Sequence, residues 1–252
     1  MEKVIEAKKI NKVYGLYSNV PKIAIDDISL DVYEGDFICI MGPSGSGKTT
    51  LINILATIDD LTKGQLVLLG NNILGLFEKE KALLRKKDIG FIFQNYNLID
   101  TLKNKDNILF SLRLNKVPVA KQDQLLQDIV RKLNIEDIID KFPYECSGGQ
   151  QQRVAIARAL VTNPKILFAD EPTGNIDSLS SRQLMDLFVK INREFKTTIV
   201  MVSHDSFVAS FSNTLYYIVD GKVETKLERK ALSQFDYYTK IAKITTQIDY
   251  FK

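Results

Sequence analysis

Residues 37–50 read Phe-Ile-Cys-Ile-Met-Gly-Pro-Ser-Gly-Ser-Gly-Lys-Thr-Thr. The first five are an unbroken apolar run of strand length, the pattern of a strand buried on both faces. Gly42 to Thr49 then fits G-x-x-x-x-G-K-[ST], and the spacing predicts a helix over Lys48–Thr57. Strand, glycine-rich turn and helix are the context in which this motif cradles phosphate. Glycines let backbone N–H groups converge on phosphate oxygens without Cβ clashes, and the helix N-terminus adds a favourable field. The expected nucleotide-contacting residues are Gly42, Pro43, Ser44, Gly45, Ser46, Gly47, Lys48, Thr49 and Thr50. Lys48 would reach the β- and γ-phosphates and Thr49 would hold Mg²⁺. The plain alternative, a glycine-rich turn without a ligand, is disfavoured by the correct flanking elements.

A second strand-like run, Ile166-Leu-Phe-Ala-Asp170-Glu171, is apolar until its last two residues. Adjacent carboxylates at the end of a buried strand are unfavourable unless something pairs them. In an open α/β sheet, strand ends face the ligand crevice. Asp170 is therefore expected on Mg²⁺, and Glu171 on the water that attacks the γ-phosphate.

Working outward, the remaining pattern suits one large domain. The first 75 residues are mostly strand-like, with runs at Val4–Ala7, Ile23–Val32 and Gln65–Leu69. From about Glu78 to Thr162 the pattern is helical, with Leu125, Leu126, Ile129, Val130 and Leu133 at helix spacing and one short strand at Ile89–Phe93. Then strands (Lys165–Ala169, Thr197–Val202, Thr214–Val219) alternate with a helix, Ser178–Phe195. Alternation of this kind argues for a parallel sheet covered by helices, so the fold class is α/β. The 252 residues are 45% hydrophobic and 26% charged, with net charge +3. That balance does not point to nucleic acid. No apolar run approaches the ~18 residues of a membrane span, and residues 1–7 do not read as a secretory signal. Two cysteines, Cys39 and Cys146, make neither a disulfide framework nor a metal site. The chain reads as cytosolic, with any membrane role supplied by a partner.

Cys146-Ser147-Gly148-Gly149-Gln150-Gln-Gln-Arg153 precedes a helical stretch, Val154–Leu160. Ser147 and Gln150 have capping-box spacing, so the stretch starts a helix. Its two glycines also bare that helix N-terminus, creating a second anion site. One nucleotide does not need two such sites from one chain. Two chains arranged head-to-tail would use both.

In order, these motifs resemble the ATP-binding subunits of ABC transporters, over roughly residues 4–223. The resemblance implies a P-loop NTPase with a RecA-like parallel-sheet core, an antiparallel β subdomain and an inserted α-helical subdomain at about 78–162. Residues 224–252 then form a separate C-terminal tail. It implies that ATP and Mg²⁺ are bound, and that Ser147, Gly148, Gly149 and Gln150 are the signature facing the ATP of a second copy. Gln94, after Gly90-Phe-Ile-Phe, matches the Q-loop and would sense Mg²⁺ and the attacking water. Asp177, in Gly174-Asn-Ile-Asp177, matches the D-loop, although it also fits a cap for the helix from Ser178. His204, the only histidine in the chain, matches the switch histidine and would donate to the γ-phosphate. Tyr14 matches the aromatic that stacks on adenine; Tyr17 is near enough to compete, and a strand aromatic is the plain alternative. The family's usual signature Leu is Cys146 here, and the D-loop reads Asn175-Ile176. Neither departure touches a catalytic group.

Gly90–Leu102 and Phe168–Gly174 resemble the macrolide-efflux and lipoprotein-release branch. The tail, Gln234-Phe-Asp-Tyr-Tyr-Thr-Lys, resembles the Bce-type subunits of peptide-antibiotic resistance in Gram-positive bacteria. The resemblance implies a peripheral subunit on the cytoplasmic face of a bacterial membrane, an ATP-dependent homodimer and a partner permease. Macrolide-efflux, lipoprotein-release and cell-division types remain open as alternatives. A soluble ABC ATPase acting on ribosomes or DNA is a further one, disfavoured by a single domain, no heptads and balanced charge. In the tail, Phe235, Tyr238, Ile241, Ile244 and Ile248 recur at helical spacing, predicting a helix docked on its own domain through that face.

Overall fold

The structure, a computed structural model, describes residues 2–17 and 20–251. In chain order the elements are β1 (Lys3–Tyr14), β2 (Lys22–Tyr33), β3 (Phe37–Met41), α1 (Lys48–Leu55), β4 (Lys63–Leu68), β5 (Asn71–Asn72) and α2 (Glu78–Asp88). There follow β6 (Ile89–Ile92), α3 (Asn104–Leu114), α4 (Val119–Leu133), α5 (Gly148–Leu160), β7 (Ile166–Asp170) and α6 (Ser178–Phe195). The chain continues through β8 (Thr198–Val202), α7 (Ser206–Ala209), β9 (Thr214–Val219), β10 (Lys222–Glu228) and α8 (Gln234–Phe251).

Among the described residues two sheets form. One is four-stranded, in the order β2-β1-β4-β5, with antiparallel pairing. The other is six-stranded, in the order β10-β9-β3-β8-β7-β6. It is parallel except at its β9–β10 edge. Every residue of β3, β7 and β8 is buried. Alternation sends Ile38 and Ile40 of β3 to the side of α1 and the antiparallel sheet, while Phe37, Cys39 and Met41 face the helices. An apolar run without polar alternation is what such a strand requires. This is the α/β architecture expected from the sequence, with its antiparallel sheet and its helical insertion.

Several boundaries differ for physical reasons. β1 runs on to Tyr14, well past Ala7. Its register slips between Ala7 and Ile10, where Lys9 has φ 46°. That bulge breaks the period-2 pattern by which the strand would be read. α1 stops at Leu55, and Thr57 is left-handed at φ 60°. β6 joins β7 in the main sheet, so the helices inserted between those two strands are α3, α4 and α5; α2 precedes the insertion. β10 crosses residue 223, so the tail leaves the sheet after Glu228. α8 packs through Tyr237 and Ile241, which are fully buried. Of the expected stripe, Ile241 is buried and Ile248 packs against the core, whereas Phe235 (74% exposed) and Tyr238 (38%) point outward and Tyr237 is buried instead. Adjacent tyrosines at 237 and 238 allow two helical stripes; the Tyr237 hydroxyl donates to Leu227 O at 3.1 Å, and this selects one of them. No described helix is long and apolar enough to cross a membrane.

Candidate functional site

The phosphate loop leaves β3 through Gly42 and enters α1 through Gly47. At Gly42 (φ 152°) a Cβ would lie 2.0 Å from Ile218 O, and at Gly47 (φ 99°) one would lie 2.3 Å from Ala24 O. The loop is wedged between β9 and β2, so both positions exclude a side chain. The buried Lys48 ammonium reaches back across the loop and donates to Gly42 O (2.9 Å) and Pro43 O (2.8 Å). A buried cation beside a helix N-terminus makes the loop electropositive, a setting that fits a triphosphate.

Thr49 Oγ1 donates to Asp170 Oδ1 at 3.4 Å, joining the start of α1 to the end of β7. Burial pushes the Asp170 carboxyl up; the Thr49 hydroxyl and Lys48 oppose this, and Glu171 adds to it. Among the described residues no three or more His, Cys, Asp or Glu gather into a metal cage. A cation at Thr49 and Asp170 would therefore draw its other ligands from phosphate and water, the habit of Mg²⁺.

Glu171 follows in a left-handed conformation (φ 45°) and donates its N–H to Val202 O at 3.1 Å. This turn carries its carboxylate toward the end of β8. There His204 Nδ1 lies 3.1 Å from Glu171 Oε2. The imidazole is 67% exposed and the Glu171 side chain 20%, so the pair sits at the open mouth of the site. The sequence reading aimed His204 at a phosphate; its contact in the structure is Glu171. Gln94 follows β6, and its carbonyl accepts from Asn175 Nδ2 at 3.0 Å. A Cβ on Gly174 would stand 3.4 Å from Gln94 Nε2 and 3.6 Å from Glu171 Oε2, which brings Gln94, Gly174 and Glu171 together.

Ser147 closes a full capping box on α5. Its N–H donates to Gln150 Oε1 (2.9 Å), and its Oγ accepts from Gln150 N (3.3 Å). A Cβ on Gly148 would meet the Tyr96 hydroxyl at 2.9 Å and Asn175 O at 3.3 Å; one on Gly149 would meet Ser180. Gly148 thus abuts the segments that follow Gln94 and precede Asp177, and the Ser147 cap is exposed. Further along α5, Arg158 donates to Asn97 O (2.5 Å) and Tyr96 O (2.8 Å). One helix therefore holds the segment after Gln94 at two points. Asp177 caps α6, accepting from Leu179 N and Ser180 N at 3.0 Å and from Ser180 Oγ at 2.6 Å. The Ser180 hydroxyl and the helix N–H groups hold its carboxyl below the usual range.

Tyr14 ends β1 with its ring 42% exposed, whereas Tyr17 is 99% exposed. The Tyr14 hydroxyl donates to Asp59 Oδ2 at 2.7 Å and lies 3.5 Å from Thr50 Oγ1. Lys12 Nζ stands 4.8 Å from the ring centroid and 2.6 Å from Asp59 Oδ1. Tyr14 is thus an anchored phenol beside the phosphate loop. Sequence reasoning missed Asp59, Lys12, Tyr96 and Arg158, whose roles depend on distant partners. It also missed Asp205, although an Asp just before Ser-Phe-Val is a legible cap signal.

A parallel sheet with a phosphate loop on one strand and an acidic pair two strands away defines a P-loop nucleotide hydrolase. Residues 25–174 match the ABC transporter family. The chain is 43% identical to the bacitracin export ATP-binding protein BceA of Halalkalibacterium halodurans, over 95% of this chain and 94% of that protein. It is also 43% identical to the Bacillus subtilis ABC transporter ATP-binding protein YvcR, over 93% of this chain and 91% of that one. A dimeric post-hydrolysis structure of the ATP-binding cassette MJ0796, bound to ADP and Pi, superposes with TM-score 0.84 at 34% identity. It covers 90% of this chain and all of that chain (100%). The chain belongs to the ATP-binding cassettes of ABC transporters, ATPases that work on ATP with Mg²⁺.

Proposed function

We propose that two copies of this chain bind two Mg-ATP head-to-tail and drive a partner permease from the cytoplasmic face of a bacterial membrane. The observation that carries this reading is the Glu171–His204 pair at 3.1 Å, set where β7 and β8 end beside the phosphate loop. Lys48 and the loop N–H groups would hold the β- and γ-phosphates, and Thr49, Asp170 and Gln94 would hold Mg²⁺, directly or through water. Bound Mg²⁺ supplies charge neutralisation on the phosphate oxygens. Glu171 takes the proton of the attacking water, and His204 orients Glu171 and the terminal phosphate. Ser147, Gly148, Gly149 and Gln150 serve the ATP of the opposite copy. This is supported by their exposed cap and by the dimeric assembly of the MJ0796 cassette. Asp177 caps α6 and reaches the same interface.

Motion passes to the permease through the helical insertion. A groove of about 370 Å³ lies between β6, α3 and α5, with Phe93, Ile99, Phe110, Leu114 and Arg158 on its walls. It adjoins Gln94 and suits a short helix presented by a membrane partner. Peptide-antibiotic resistance is the substrate reading favoured, supported by the near full-length likeness to a bacitracin export subunit.

The experiment is to tag the chain in its host, purify it gently from solubilised membranes, and identify what accompanies it. A permease with a large extracellular domain, whose loss sensitises cells to bacitracin, supports the proposal. A four-helix permease moves it to macrolide efflux, lipoprotein release or division signalling. Co-purification with ribosomes or DNA alone ends the transporter reading and leaves the ATPase site standing.

A further inference from the structure

Hydrogen bonds tie the tail helix to α7, the short turn that follows His204. His204 is followed by α7, a helix of four residues. A single turn is not stable by itself, because nucleation fixes several residues for one hydrogen bond. Here both backbone groups of Phe207 are held by side chains. Its N–H donates to Asp205 Oδ1 at 2.7 Å, and its carbonyl accepts from Ser210 Oγ at 2.6 Å. The same Ser210 oxygen accepts from Gln234 Nε2 of α8 at 3.1 Å. α8 is itself fixed, because the buried Tyr237 donates to Leu227 O of β10 at 3.1 Å. Asp205, at the other end of this series, is covalently next to His204, and its N–H donates to Ser203 Oγ at 3.1 Å.

We propose that Gln234 is a positioning residue for His204, and that α8 braces the switch loop through Ser210 and Phe207. The proposal rests on His204 acting in hydrolysis, as proposed above. An exposed imidazole does not hold one rotamer unaided, and its partner Glu171 demands one. The brace fixes the backbone from which that rotamer is presented.

The test is a double-mutant cycle on the full-length chain, with kcat, KM for ATP and the melting temperature recorded for each variant. Gln234→Ala is expected to lower kcat about fivefold, the rate equivalent of one lost hydrogen bond, with KM unchanged. Ser210→Ala is expected to do the same, and the two together no more than either alone. In a His204→Ala background, Gln234→Ala is expected to leave the residual turnover unchanged. Losses that multiply in that background overturn the brace, as does a Gln234→Ala enzyme with wild-type kcat. A fall in melting temperature without any change in kcat makes the contact purely structural and likewise overturns it. If His204→Ala itself turns over normally, the reading of the histidine fails first and the brace with it.

Discussion

Glu171 and His204, 33 residues apart in the chain, meet at 3.1 Å where β7 and β8 end side by side. Neither strand alone makes the contact. Parallel pairing of Asp170 with Val202 aligns the two strand ends, and the left-handed turn at Glu171 swings its carboxylate toward the imidazole.

Glu171→Gln is expected to bind ATP with near wild-type affinity and to lose at least about 10²-fold in turnover, the contribution of a general base. The trapped ATP should hold two copies together, read as a doubled mass by size-exclusion chromatography with light scattering. Normal turnover would remove Glu171 from the role of base.

His204→Ala is expected to lower kcat by about 10²-fold, the effect of removing one oriented polar group from a transition state. Nucleotide affinity should hold, because the ring is largely exposed and no described contact links it to the phosphate loop. Fluorescent-nucleotide titration beside a phosphate-release assay separates the two quantities.

Asp170 carries a prediction about pH. Burial raises its carboxyl above the ordinary value of 3.8, so its folded pKa exceeds its unfolded one. A group shifted this way contributes stability below the unfolded pKa and loses it as pH rises through the folded one. At neutral pH the ionised carboxylate is a liability in the nucleotide-free protein. Asp170→Asn should therefore melt at a higher temperature than wild type at pH 7. The gap should close toward pH 4, and Mg²⁺-dependent turnover should be lost. Equal melting at pH 7 contradicts this.

Asp177→Asn separates two roles. Asparagine also caps helices, so the isolated chain should keep its melting temperature, while Asp177→Ala should lower it. Turnover that falls in the Asn variant at unchanged stability then reports on the dimer interface.

The glycines of the phosphate loop differ in what they require. Gly47→Ala puts a methyl 2.3 Å from Ala24 O on a left-handed backbone. It should destabilise by about 2–5 kcal/mol, overpacking and backbone strain combined. Gly45→Ala meets nothing within 4 Å and bears only the strain of φ 81°, so about 1–2 kcal/mol is expected. Urea unfolding of the two variants checks the difference.

The sequence by itself determined the class of fold and marked the glycine-rich loop and the acidic strand end that the fold brings together. Uninterrupted apolar runs at 37–41 and 166–169 suit a sheet covered on both faces, and a glycine-rich turn into a helix offers phosphate its backbone N–H groups. These features are local, so periodicity and spacing reveal them. Tertiary structure decided the rest, because each remaining feature depends on a distant partner. A bulge at Lys9 carries β1 on to Tyr14, and Asp59 anchors that tyrosine's hydroxyl. Pairing of β6 with β7 places α2 outside the helical insertion. One hydroxyl meeting Leu227 O turns α8 onto Tyr237 and Ile241, leaving Phe235 outside. The lone histidine was expected at the site because Ser203-His-Asp205, just after a buried strand, matches a motif of the family. That its partner is Glu171 was settled only when two parallel strands brought their ends together.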